Sequence, residues 1–333
     1  MVEQSSGRGG TDARITLVTR SADVARERDE ILRDLRRNPC EIAAKHFYDS
    51  RGAELFERIC ALPEYYPTRT ELALLERFAD RILFLSGAED LVELGPGAMT
   101  KARYLLDALA RAGRLGVYVP VEVNEAGLYA AAAALVQHYK LLRVHGIVAD
   151  FAADFGTLPH GGRRLVAFLG GTIGNFRPVQ AVAFLTRVGA AMRPGEHLLL
   201  GADLIKDVAR LEAAYNDAQG VTAEFNRNIL RVINAKVAAD FDPEAWKHRA
   251  FYNLDEQWIE MRLQASRAQR VSVKGLGITL EFAKGEEILT EISAKYDRPR
   301  VEAMLAKAGF DMVAWFTDAE ALFSLSLARR RFS

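Results

Sequence analysis

Between Asp90 and Ala202 the chain alternates short apolar segments with stretches of helical periodicity, and this rhythm restricts its fold more than any other feature. The apolar segments are Asp90–Leu94, Val117–Val123, Arg143–Ala149, Arg164–Leu169 and His197–Ala202. Helices are expected from the glycine turn after Leu94 to about Ala112, over about Ala126–Tyr139, and from Pro178 to Met192. Strands separated by helices of about ten to fifteen residues imply βαβ units and a parallel sheet. Such sheets bind ligands at the carboxyl ends of their strands.

The rhythm stops near residue 204. A long helical stretch, Asp207–Ala238, is followed by segments of period two at Trp258–Ser266, Gln269–Val273 and Ile278–Phe282. A last helix, Arg298–Ala308, precedes Asp311–Thr317 and Phe323–Ala328, which can form an antiparallel pair. Ahead of the alternation, helices are expected over Asp23–Arg37, Ala53–Ile59 and Thr70–Ser86. Two prolines bracket two tyrosines in Leu62–Arg69, which predicts a stiff extended loop. Residues 1–22 are polar and glycine-rich and read as a disordered tail. The expected division is one sheet domain (70–203 with 296–331) and one discontinuous domain (23–69 with 204–295).

Composition removes several functions. Forty-four basic residues balance 44 acidic ones, so the surplus of positive charge that a nucleic-acid binder uses against phosphates is missing. No apolar run is long enough for a membrane helix, and the first 20 residues lack a signal peptide's apolar region. Cys40 and Cys60 form no CxxC, which fits reduced thiols and a cytoplasmic location. The six histidines are too scattered to suggest zinc, and no metal is expected. A monomer is expected.

The chemistry-bearing residues fall at successive strand ends. Val92-Glu93-Leu94-Gly95-Pro96-Gly97 closes the first strand, and Gly95 and Gly97 permit a tight turn and close approach of a ligand. Position 100 is Thr100, not the third glycine of a dinucleotide fingerprint, which weakens a nicotinamide oxidoreductase. The turn is compatible with S-adenosylmethionine, whose methionine part carries no pyrophosphate. Glu122, ending the second strand, can accept from both ribose hydroxyls. Asp150 and Phe151, ending the third, can meet the adenine amino group and ring. Lys101 lies within reach of the methionine carboxylate, or is simply solvated. After the fourth strand, Phe168-Leu169-Gly170-Gly171-Thr172-Ile173-Gly174-Asn175-Phe176 offers a glycine-rich loop and an amide suited to an amino acid. Five parallel units closed by an antiparallel pair is the order of a class I methyltransferase sheet.

Five segments together resemble the histidine-specific Nα-methyltransferases of ergothioneine biosynthesis: LPEYYPTRTE, ELGPG, FLGGTIGNF, AYNDAQGVTAEFNRNIL and GEEILTEIS. The resemblance runs from about Lys45 to Arg329. It implies a Rossmann-like α/β sheet domain that binds S-adenosylmethionine, with a smaller α+β domain closing over the amino acid. It implies conversion of L-histidine to its trimethylated betaine, hercynine. Carried over residue by residue, it places Asn175 and Tyr215 at the substrate carboxylate. Glu291 and Ser293 fall at the imidazole, with Tyr65 nearby. Gly170 lies in the substrate loop, Met261 in the pocket, and Tyr48 near the amine as the residue closest to a catalytic role. Two departures touch the cofactor: Pro96-Gly97-Ala98-Met99 replaces a more usual Ser-Gly loop, and Glu122 stands where many relatives carry Asp. The alternatives are an Nα-methyltransferase for another aromatic amino acid such as tryptophan, and a non-catalytic binder of S-adenosylmethionine.

Overall fold

The computed structural model describes residues 12–19, 24–152 and 161–332. In chain order these form β1 (Ile15–Thr19), α1 (Val24–Leu35), β2 (Cys40–Glu41), α2 (Ser50–Cys60), α3 (Tyr66–Ser86), β3 (Asp90–Leu94), α4 (Thr100–Arg111), β4 (Val117–Glu122) and α5 (Glu125–His138). There follow β5 (Arg143–Val148), β6 (Arg164–Phe168), α6 (Pro178–Ala190), β7 (His197–Asp203), α7 (Val208–Ala213) and α8 (Val221–Val237). The remainder is β8 (Trp246–Asn253), β9 (Trp258–Ala265), β10 (Gln269–Val273), β11 (Ile278–Phe282), β12 (Glu287–Ala294), α9 (Arg298–Lys307), β13 (Phe310–Thr317) and β14 (Phe323–Arg330).

Among the described residues the main sheet has eight strands in the order β1-β5-β4-β3-β6-β7-β14-β13. The pairs from β1 to β7 are parallel, and β14 pairs antiparallel with both β7 and β13. β3, β6 and β7 are buried along their whole length, as expected for strands covered on both faces. Leu75, Leu105 and Leu135 cover one face; Phe184, Val301 and Leu305 cover the other. This is the class I methyltransferase arrangement, as the order of elements implied.

The amino terminus departs from expectation. Ile15–Thr19, inside the segment read as a disordered tail, adds a parallel edge strand beside β5. Five residues with an apolar run, Ile15-Thr16-Leu17-Val18-Thr19, suffice for an edge strand that has one neighbour. The rest of that segment, 1–11 and 20–22, lies outside the described residues. The tyrosine–proline segment differs as well: Tyr66 opens α3 and Pro67 sits in its first turn. Proline is favoured there because the amide it lacks would have no partner anyway.

A second sheet, β2-β12-β9-β8, and the hairpin β10-β11 carry the inserted chain. The insertion leaves the main sheet after Asp203 and returns at Tyr296, and these two ends are tied to each other. Leu204 bridges Tyr296, the Tyr296 amide donates to the Asp203 carbonyl (2.9 Å), and the Ile205 amide donates to the Tyr296 carbonyl (2.8 Å). A third core of Phe47, Ile59, Tyr66, Phe225, Ile229 and Leu263 joins α2, α3 and α8 to this sheet. The sequence did not mark β8 or β12 as strands. The helix expected over 207–238 is broken: Gly220 adopts a left-handed φ of 72°, and Asp217 accepts from the amides of Val221 (2.8 Å) and Thr222 (2.7 Å) to start α8 afresh. The break leaves Tyr215 in a loop instead of on a helix face.

Candidate active site

At the carboxyl edge of the main sheet, Gly95 turns with a φ of 67°, and a Cβ there would stand 2.9 Å from the Phe151 ring. The glycine therefore lets the ring pack on the turn, while Phe151 also meets Phe168 edge-on at 5.5 Å. Among the described residues nothing lies within 4 Å of where a Cβ on Gly97 (φ 54°) would be, so the turn is open on that side. Beside it the Glu122 carboxylate is held by the amides of Gly97 (3.3 Å) and Val123 (2.8 Å). Asp150 accepts from the Ala152 amide (2.9 Å) and from Lys45 (3.3 Å). Two oriented carboxylates and a ring around an open glycine turn suit a nucleoside with ribose hydroxyls and an exocyclic amine.

Lys101 is paired and only 22% exposed. Its ammonium lies 2.7 Å from Glu71, a completely buried carboxylate of α3, and 3.0 Å from where a Cβ on Gly170 would sit. Burial alone would lower the lysine's titration, but Glu71 raises it overall. Both Glu71 oxygens also accept from the Gly170 amide, at 2.8 and 2.9 Å. One acid thus connects the helix behind the glycine turn to the glycine-rich loop behind β6.

That loop runs against β12. Gly174 has no room for a side chain, since a Cβ would stand 2.8 Å from the Ala294 carbonyl and 3.4 Å from Ser293 Oγ. Gly174→Ala is therefore expected to push the loop off β12, with a loss of about 1–3 kcal/mol by chemical denaturation and a raised KM for the amino acid. Next to it, Asn175 Nδ2 donates to Glu291 (2.9 Å) and to the Ile292 carbonyl (2.9 Å). Burial pushes Glu291 up to about 7, against the opposing effects of Asn175 and Lys295. Glu291 sits just past a register shift between Leu289 and Glu291, and β9 places Met261 opposite it. The bulge residue Thr290 shares its one hydroxyl hydrogen between Asn226 Oδ1 (2.6 Å) and the Met261 carbonyl (3.0 Å), which fixes the irregularity that re-aims Glu291.

Aromatic rings complete the cleft. Asp49 caps α2 through the Gly52 amide (2.7 Å) and is held by Asn228 (2.8 Å), which fixes the residue before it, Tyr48. Tyr48 is 47% exposed and meets Phe56 and Phe225 edge-on. Its partial burial and the charge of Glu291 push its titration up. Phe56 meets Tyr65 at 6.2 Å, and Tyr65 meets Tyr215 at 6.3 Å. Tyr215 donates to Ser293 Oγ at 2.8 Å. Contacts thus join Asn175, Glu291, Met261, Ser293, Tyr215 and Tyr65, and Phe56 connects Tyr48 to them, while Gly170 is tied instead to Glu71.

A family model described as histidine-specific methyltransferase, SAM-dependent, matches residues 27–330. The chain belongs to that family. It is 46% identical over 312 residues to the histidine N-alpha-methyltransferase of Mycolicibacterium smegmatis, covering 93% of this chain and 97% of that protein. To the enzyme of the same name from Mycobacterium tuberculosis it is 46% identical over 303 residues, covering 91% and 94%. It is 31% identical to ergothioneine biosynthesis protein 1 of Neurospora crassa, over 89% of this chain and 34% of that larger protein.

Three charged groups of this methyltransferase escaped sequence reading. Glu71 is one. The other two are Asp203, at the end of β7, and Lys295, just after β12; they pair at 2.8 Å. Asp203 also accepts from Lys206 (2.6 Å) and from Tyr66 (2.9 Å). Burial would raise the Asp203 carboxyl, but the two lysines hold it below its usual range. Burial lowers Lys206 to about 8, although Asp203 opposes the shift. The one available signal for Asp203 was its place, an acid at the end of the fifth strand of the alternation, in line with Glu122 and Asp150.

Proposed function

We propose that this methyltransferase transfers three methyl groups in succession from S-adenosylmethionine to the α-nitrogen of L-histidine, giving hercynine. The observation that carries the choice of amino acid is Glu291, a carboxylate aimed by the Thr290 bulge, with Ser293 beside it and Met261 opposite. An ionised carboxylate accepts the ring N–H, and a buried acceptor rejects side chains that leave it unpaired. An indole-sized ring would have to displace Met261, which is buried to 1% exposure in the third core.

Bound at the carboxyl edge, S-adenosylmethionine supplies an electrophilic methyl on a sulfonium. Glu122 takes the ribose hydroxyls, Asp150 and Phe151 take the adenine, and Gly95 and Gly97 let the backbone come close. Lys101, steered by Glu71, faces the methionine carboxylate. Residues 23–69 with 204–295 serve as the amino-acid-binding part. Asn175 and Tyr215 border the substrate carboxylate, and the Glu71–Gly170 contact keeps the Asn175 loop in step with the cofactor helix. Little covalent chemistry is required, because holding the amine lone pair about 3 Å from the methyl carbon does most of the work. The amine must first lose a proton. Tyr48, whose titration is pushed up, stays protonated and passes that proton to water through its hydroxyl instead of acting as the base.

Incubation with L-histidine and S-adenosylmethionine, followed by mass spectrometry, tests the reading. Three methyl groups on the amine are expected; product with tryptophan and none with histidine would transfer the assignment. A pH profile tests Glu291 itself. Below about 7 its carboxylate gains a proton and ceases to be an acceptor only, so kcat/KM for histidine is expected to fall as pH drops through that value. In Glu291→Gln that acid limb should flatten, while the rise due to the substrate's own amine remains.

A further inference from the structure

Lys295 has no part in the reading above, yet it is completely buried and its ammonium touches two of the substrate residues. Its three hydrogens point at the Asp203 carboxylate (2.8 Å), at Ser293 Oγ (2.8 Å) and at the Tyr215 hydroxyl (3.0 Å). Tyr215 and Ser293 are themselves 2.8 Å apart.

The hydrogens can be counted. A hydroxyl has one hydrogen and two acceptor sites, and an ammonium only donates. Lys295 therefore fills one acceptor site on each hydroxyl. The two hydroxyls share one further bond. If Tyr215 donates it, both acceptor sites of Ser293 are full and the Ser293 hydrogen has to point elsewhere. If Ser293 donates it, the Tyr215 hydrogen is the one left over. Either way one hydrogen and one acceptor site remain, on different hydroxyls; with Tyr215 donating to Ser293, as found here, the hydrogen is Ser293's and Ser293 has no site left to accept. Asp203 makes this possible, because a buried ammonium without a counter-charge would be too costly to keep.

We propose that Lys295, neutralised by Asp203, is a positioning residue that holds the Tyr215–Ser293 pair as a hydrogen donor toward the cleft, so that the site selects a ring presenting an unprotonated nitrogen. This rests on the reading of L-histidine as substrate. Glu291 then takes the ring N–H and the hydroxyl pair supplies the other nitrogen. A neutral imidazole carries one donor and one acceptor, and matches both. A ring with an N–H but no acceptor nitrogen satisfies Glu291 and leaves the hydroxyl hydrogen unpaired.

The two β-pyrrolylalanines are such rings, each with a CH in place of the acceptor nitrogen. Calorimetric titration of enzyme saturated with S-adenosylhomocysteine gives the three dissociation constants. The wild type is expected to prefer L-histidine over the better pyrrole by about 10²-fold or more. In Lys295→Met with Asp203→Asn, both charges go and the hydroxyls are free to reorient. Binding of S-adenosylhomocysteine should persist while the preference drops to within about tenfold. A merely structural role would weaken histidine and the pyrroles together. If that variant does not bind S-adenosylhomocysteine, Lys295→Leu with Asp203→Asn, which likewise leaves no donor at position 295, takes its place with the same expectation. Parity between histidine and a pyrrole in the wild type overturns the proposal, as does an undiminished preference in a folded variant. Failure of the wild type to bind L-histidine at all would instead overturn the substrate reading.

Discussion

With Glu291→Ala and Met261→Val together, kcat/KM for L-histidine is expected to fall by about 10²-fold or more, and larger aromatic amino acids such as tryptophan are expected to become substrates. The first substitution removes the acceptor for the ring N–H. A hydrogen bond to a charged group contributes about 1.5–3 kcal/mol, or about 10- to 150-fold in rate when it is lost. It also takes away the partner of Asn175, whose amide then keeps only the Ile292 carbonyl among its present acceptors. The second substitution opens volume directly across the strand pair, because β9 sets Met261 opposite Glu291. Trimming one buried apolar side chain costs on the order of 1 kcal/mol of stability, so the variant should fold. Affinity for S-adenosylhomocysteine should hold, since Glu122, Asp150 and Phe151 lie on the other sheet. Steady-state kinetics with both amino acids decide the matter, and unchanged histidine kinetics would remove Glu291 from the pocket.

The parallel core could be read directly. Strands β3 to β7 are short, apolar and separated by helices with clear starts, so local pattern and burial agree. The residues at their carboxyl ends could also be read, because a parallel sheet gathers Gly95, Glu122 and Asp150 at one edge whatever the helices do. The second sheet was harder. β12 is buried on both faces and so shows no alternation, and β8, Trp246–Asn253, mixes charges into its pattern because part of it faces solvent. The break after α7 was missed because helical periodicity continues across Tyr215, and only the Asp217 cap and Gly220 interrupt it. The aromatic and polar residues of the cleft entered through family resemblance, not through spacing. What remained out of reach was pairing. Glu71, Asp203 and Lys295 each look like an ordinary surface charge in sequence, and only the fold buries Glu71 against the Gly170 amide, 99 residues away, and Asp203 against Lys295.

Asp203→Ala tests how much of the structure hangs on one such pairing. Removing one member of a buried ion pair typically costs about 3–5 kcal/mol, because the other charge stays buried and unpaired. In a protein of this size that is a drop in Tm of about 5–10 °C. Here two lysines lose their partner, but unequally. Lys206, already lowered to about 8, sheds its proton near neutral pH at little cost, so Lys295 dominates the penalty. The pH dependence has a definite sign. In the variant both lysines have folded-state pKa values below those of the unfolded chain, so the unfolded state binds more protons and stability rises with pH. The gap between wild type and variant should therefore narrow from pH 7 to pH 9. The double variant Asp203→Asn with Lys295→Met, which leaves no charge at either position, should be more stable than Asp203→Ala alone even though more native groups have been removed. The damage would then come from the stranded ammonium and not from the lost contacts. Thermal unfolding across pH measures all of this, and a wild-type Tm in Asp203→Ala would show that the pairing at the neck between the two sheets contributes nothing.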